Sequence, residues 1–120
     1  MSREIDEDVR FRLMRALQDD PTLSQRALSR ELGLSLGLVN YCLKALTQKG
    51  QVKIQNFRAA DNKLRYAYVL TPRGLRERTM LTRRFLQRRT AEYEALKAEI
   101  RVLEKEAGMH STQDEPVSGE

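Results

Sequence analysis

From Thr71 to Ala107 the chain holds nothing that breaks a helix except one glycine, Gly74, and that glycine falls in the first turn. Thr71 can cap the first N–H groups, and Pro72 suits the first helical position, where its missing N–H costs nothing. Gly108 supplies the stop. A helix of about 35 residues at ~1.5 Å per residue reaches about 50 Å, which cannot fold back on so small a domain. Leu86, Tyr93, Ile100 and Ala107 recur every seven residues, and Leu96 and Leu103 fall between them at the coiled-coil offset, with Arg89 interrupting. A self-paired dimer buries this seam through Leu86, Tyr93, Leu96, Ile100 and Leu103; the alternative is a helix packed on its own domain.

A core must then come from residues 5–74, and an apolar content of 40% supports a modest one. Ile5, Val9, Leu13 and Leu17, at spacings of four with Met14 and Ala16 beside them, predict a helix over residues 5–18 that ends before Asp19-Asp20-Pro21. Ser24 is an N-cap for a second helix to about Leu32, with Leu23 and Leu28 forming a hydrophobic staple, and Gly33 ends it. Ser35 caps a third helix, and Leu34 with Val39 repeats the staple. That helix runs to Gln48 or Lys49 with Val39, Cys42, Leu43 and Leu46 inward and Gly50 as its stop. Two short helices joined through a glycine make a helix-turn-helix. Val52 to Phe57 alternates apolar and polar residues, Arg65 to Leu70 reads as a second strand with Tyr66 and Tyr68 on one face, and residues 58–64 form the turn. A hairpin in that place is a wing. The fold class is mainly α with a small β-hairpin: a winged helix-turn-helix over 5–74, a long C-terminal dimerisation helix over 75–107, and a small, polar, acidic tail over 108–120 that reads as disordered.

Charge separates along the chain. Residues 24–90 carry 15 Lys/Arg against 3 Asp/Glu, while the remainder carries 7 against 14. A basic block in an otherwise acidic chain suits a polyanion, whose condensed counterions are released on binding; a solvated surface is the plainer reading. The third helix and the wing give that charge a focus. With Val39, Cys42, Leu43 and Leu46 inward, Leu36, Gly37, Asn40, Tyr41 and Lys44 face outward. Asparagine can contact adenine through two hydrogen bonds, lysine can reach guanine or phosphate, and Ser35 at the helix N-terminus can hold a phosphate. Gly37 admits a close backbone approach. Tyr41 can touch a thymine methyl or a phosphate, or pack on the domain. Arg58, Lys63 and Arg65 surround the wing tip, suited to a backbone or a minor groove. Gln25 and Arg26 open the second helix, where they can reach phosphates. Of the arginines from Arg73 to Arg89, some flank the nucleic acid and others pair with acidic residues across the dimer.

Other chemistries find little support. The chain shows no nucleophile with a base, no carboxylate pair in a cleft-forming context and no glycine-rich phosphate loop, so no enzyme is expected. One cysteine and one histidine, His110, make no metal site, and no cofactor is called for. No run approaches the ~20 apolar residues of a membrane span, and the acidic start does not read as a signal peptide, so a cytoplasmic protein is expected.

The runs Leu23 to Leu46, Lys49 to Phe57 and Tyr66 to Gly74 resemble the MarR-type winged-helix regulators. Four motifs narrow the resemblance to the exopolysaccharide-associated branch: Ser-Leu-Gly-Leu-Val-Asn-Tyr at 35–41, Leu-Thr-Pro-Arg-Gly at 70–74, Leu-Thr-Arg-Arg-Phe-Leu at 81–86 and Glu-Tyr-Glu-Ala-Leu at 92–96. It covers about residues 7–106. The resemblance implies a bacterial homodimer on double-stranded DNA, binding an inverted-repeat operator near surface-polysaccharide genes. The wider family dimerises through both terminal helices around a phenolic-ligand pocket. Here only the C-terminal helix is free to pair, and the sequence names no effector. Two other readings stand beside this one: a sensor switched by a small molecule or by oxidation of Cys42, and a protein-interaction module acting through the long helix.

Overall fold

The structure, a computed structural model, describes residues 5–109. Most of the expected tail, His110 included, lies outside the described residues. Helix α1 (Glu7–Asp19) starts two residues later than the apolar spacing predicts, because the Asp6 carboxylate accepts the Asp8 N–H at 2.7 Å and fixes the cap there. Helices α2 (Gln25–Leu32) and α3 (Leu36–Gln48) begin as expected: Ser24 accepts the Ala27 N–H at 3.0 Å and Ser35 accepts that of Leu38 at 3.1 Å. Between them Gly33 takes φ +68°, a left-handed backbone that L side chains rarely adopt. The Arg12 guanidinium donates to the Leu32 carbonyl and ties this turn to α1. Replacing either capping serine by alanine is expected to cost ~1 kcal/mol. Thermal unfolding followed by circular dichroism should show this as a fall of roughly 5 °C per cap.

The core is built as the spacing predicts and then extended. Leu13, Met14 and Leu17 of α1 and Leu28 of α2 meet Val39, Cys42, Leu43 and Leu46 of α3, all buried. Strands β1 (Val52–Arg58) and β2 (Leu64–Leu70) pair antiparallel, from Val52 opposite Leu70 to Arg58 opposite Leu64. The base of the hairpin adds Val52, Tyr68 and Leu70 to the core. At the tip the Asn62 N–H donates to the Ala59 carbonyl at 2.8 Å, the Ala59 N–H donates to the Lys63 carbonyl at 2.9 Å, and Asn62 has φ +66°. This is a three-residue hairpin loop, and asparagine is among the few residues that tolerate its left-handed position.

The long helix α4 (Pro72–Glu106) has the predicted length and start. Thr71 caps it by accepting the Gly74 N–H at 3.0 Å, while its own hydroxyl donates to the Gly50 carbonyl at 2.6 Å and its N–H to the Gln51 carbonyl at 3.1 Å. The first turn of α4 is thereby pressed on the chain just after α3. One compact unit takes in α4 as far as Phe85, past the expected boundary at Gly74. Leu81 is buried in the core, and Phe85 stacks on Phe11 with ring centroids 4.7 Å apart. From Leu86 onward lies a second unit. In it Leu86, Tyr93, Leu96, Ile100 and Leu103 are all exposed, and Lys97 sits over the Tyr93 ring at 5.6 Å. Among the described residues no helix is long and apolar enough to cross a membrane, and no three His, Cys, Asp or Glu side chains gather as metal ligands.

Candidate nucleic-acid interface

Burial of Val39, Cys42, Leu43 and Leu46 fixes the rotation of α3, and the opposite line of the helix is then Gly37, Tyr41, Lys44 and Gln48, at steps of four, three and four. All four are exposed. Asn40 lies beside that line and is half-buried, while Leu36 and Leu38 flank it and are exposed. The expected outward set is therefore brought together on one surface, with Asn40 at its edge. Gln48 joins this surface as the next step beyond Lys44, a position that helical spacing places there at the last turn of α3. Leu38 is exposed although its residue type suggests a core position. Ser35 spends its oxygen on the cap and keeps its hydroxyl proton for donation.

The remaining predicted residues divide. Gln25 is turned inward, its side-chain amide donating to the Tyr68 hydroxyl at 3.0 Å, so it braces α2 against β2; Arg26 stays exposed. At the wing tip Arg65 pairs with Asp61 at 2.9 Å and Arg58 donates to the Asn62 carbonyl at 3.2 Å. The Arg65 guanidinium, then the Lys63 backbone N–H, hold the Asp61 carboxyl below the usual carboxylate range. Three cations around one ionised carboxylate make a tip that is still basic, but stiffer and less charged than the sequence count implies.

Some arginines of α4 are used inside the chain. Arg73 donates to the Lys49 carbonyl at 3.2 Å at the end of α3, Arg84 pairs with Glu7 at 2.6 Å, and Glu77 lies 3.6 Å from Arg10. Arg89 pairs with Glu92 three residues on. Cys42 is wholly buried, and burial pushes its thiol up, away from the thiolate that oxidation requires.

The arrangement is an exposed helix face carrying amide, ammonium and phenol groups beside a basic hairpin. Such a face can enter a major groove, where amide and ammonium groups distinguish base pairs. Residues 6–53 match a family model described as winged helix-turn-helix DNA-binding, a match that ends as β1 begins. No curated protein matches the chain by sequence. Three solved structures are similar throughout most of its length. One is a MarR/EmrR family transcriptional regulator from Acinetobacter sp. ADP1, at 22% identity and TM-score 0.59 over 82% of this chain and 71% of that one. Another is the PcaV transcriptional regulator from Streptomyces coelicolor in complex with its natural ligand, at 21% and 0.60 over 88% and 79%. The third is the S. aureus MepR–DNA complex, at 20% and 0.56 over 84% and 76%. Identities this low show a shared fold.

Proposed function

We propose that this chain is a sequence-specific DNA-binding transcriptional regulator of the MarR type, acting as a homodimer on an inverted-repeat operator. The observation that carries the reading is the α3 surface, with Gly37, Tyr41, Lys44 and Gln48 aligned outward on a helix held by four buried residues. A similar fold in the MepR–DNA complex supports it. Asn40 and Tyr41 read bases; Arg26, Ser35, Lys44, Arg58 and Lys63 contact the backbone. The exposed stripe Leu86, Tyr93, Leu96, Ile100 and Leu103 supports self-pairing, since a second copy offers the matching seam. In such a dimer the two α3 helices enter successive major grooves about 34 Å apart. The four-motif resemblance adds that the operators lie near surface-polysaccharide genes, in the cytoplasm of a bacterium.

Titration of the purified chain with its own upstream region and with random duplex, across a salt series, tests the reading. Preferential binding, with a footprint of two segments about 10 bp apart, is expected. Equal affinity for both duplexes would overturn it. Dimerisation has a separate test. Leu96→Glu combined with Ile100→Glu places charge in the seam, and sedimentation should then show monomers that retain the parent's helical content.

A further inference from the structure

Beyond Phe85 the chain leaves the compact unit as a helix whose apolar stripe is open to solvent. Leu86, Tyr93, Leu96, Ile100 and Leu103 are 46–63% exposed, and Arg89 takes the one place in that seven-residue pattern that is not apolar. A second copy can cover the stripe in either direction, and apolar burial does not choose, because every stripe residue finds a layer both ways. Charge does choose. In a parallel pair each residue meets its own copy, so Arg89 faces the partner's Arg89 inside the seam and two cations are pressed together out of water. The four arginines of residues 83–90, with no acid among them, then run along four more. Residues 99–106, with three glutamates against two cations, run along a segment of their own sign. Parallel pairing does bring Glu92 to the partner's Lys97, but it also brings Glu99 to the partner's Glu104.

We infer that the stripe seats a second copy of this chain antiparallel, with Leu86 opposite the partner's Leu103, Arg89 opposite the partner's Ile100 and Tyr93 opposite the partner's Leu96. Arg89 then meets an aliphatic side chain instead of a cation. Its guanidinium, already paired with Glu92 at 3.1 Å, is also flanked by the partner's Glu99, so carboxylates of both chains converge on one cation. Residues 83–90 lie along the acidic 99–106 segment at both ends of the pair. The register follows from the stripe's length: a shift of seven residues one way draws Thr82 of the compact unit into the seam, and the other way leaves Leu86 beyond the partner's Leu103. The two compact units join such a rod at opposite ends, 17 residues apart from Leu86 to the partner's Leu86, or about 26 Å at ~1.5 Å per residue. In a parallel pair the two junctions would lie side by side. The inference rests on the self-pairing proposed above and adds its direction and register, which make the spacing of the two DNA-binding units depend on the length of the stripe.

The test uses the full chain carrying Leu86→Cys, Leu103→Cys or both, changes at exposed positions, while the buried Cys42 stays out of thiol exchange. Each variant is oxidised and its covalent dimer measured under denaturing, non-reducing conditions. A disulfide needs Cα atoms within ~7 Å, so the two new thiols of one helix cannot join each other. The double variant is expected to cross-link at least tenfold more than either single variant. Cross-linking by a single variant shows parallel pairing and overturns the inference. A parent that sediments as a dimer while no variant cross-links also overturns it, because pairing then uses another face. Arg89→Glu gives a second reading: it sets two glutamates against each other across the seam, so dimerisation should weaken about tenfold and recover when Glu99→Arg is added. Parent-like dimerisation of Arg89→Glu, or no recovery in the charge swap, counts against the antiparallel seat. If the parent chain itself sediments as a monomer, the self-pairing reading falls with the inference and the stripe is left to another protein, so the two failures are distinguishable.

Discussion

Gly74→Ala should unfold roughly 10 °C below the parent chain, measured by circular dichroism at one fixed protein concentration. On propensity alone the sign would be opposite, since alanine in a helix is favoured over glycine by ~1 kcal/mol. Here a Cβ would stand 2.0 Å from the Gln51 carbonyl oxygen and 3.0 Å from its carbon, both backbone atoms. That carbonyl cannot retreat, because it accepts the Thr71 N–H and sits one residue from the Gly50 carbonyl that the Thr71 hydroxyl holds. Overpacking of this kind costs about 3 kcal/mol, so the clash outweighs the helical gain and leaves a net loss of about 2 kcal/mol. An unchanged midpoint would mean that the first turn of α4 can lift from Gln51, and the whole Thr71 clasp would be weaker than its hydrogen bonds suggest.

Asn40→Ala should weaken operator binding by about 2 kcal/mol per half-site, roughly a thousandfold for a dimer that loses both contacts, while affinity for random duplex stays near the parent's. The contact to test is one base pair in each half-site. Changing that pair should harm the parent and leave the variant indifferent, a pattern that loss of stability does not produce. Because Asn40 is half-buried at the edge of the α3 face, a parent-like result would move base reading to the line of Gly37, Tyr41, Lys44 and Gln48. Combining Asn40→Ala with Gln48→Ala then separates the two possibilities.

What could be read in the sequence was what neighbours in the chain decide among themselves. Ser24, Gly33 and Ser35 act within one turn of their own positions, and Val39, Cys42, Leu43 and Leu46 share a face by helical spacing alone, so caps, turn and buried stripe all follow from local rules. Thr71 and Pro72 fix the start of α4 in the same way. The contacts that escaped are those between distant parts of the chain. Gln25 reads from its place at the start of α2 as a residue that can reach phosphate, and nothing near it in the chain announces that its amide also donates to Tyr68, 43 residues away. Phe11 sits off the periodic stripe of α1 and finds its partner in Phe85, well inside what looked like a free helix. Gly74 reads as a tolerated weakness in that helix until the approach of Gln51 shows why no side chain fits. Asp61 announces a turn residue, and only the closed loop shows it binding Arg65.

The hairpin ladder is pinned at both ends, by the Asn62 loop at Ala59–Lys63 and by the Gln51–Thr71 rung against the first turn of α4. Adding one residue to either strand would turn its apolar set to the opposite face and pull Thr71 off its partners. Changes in wing length are therefore confined to residues 60–62, or to matched additions of two residues in each strand. For exchanging hairpin tips between chains of this fold, residues 59 and 63 are the graft points: a foreign tip joined there meets a fixed register and leaves α3 and α4 undisturbed.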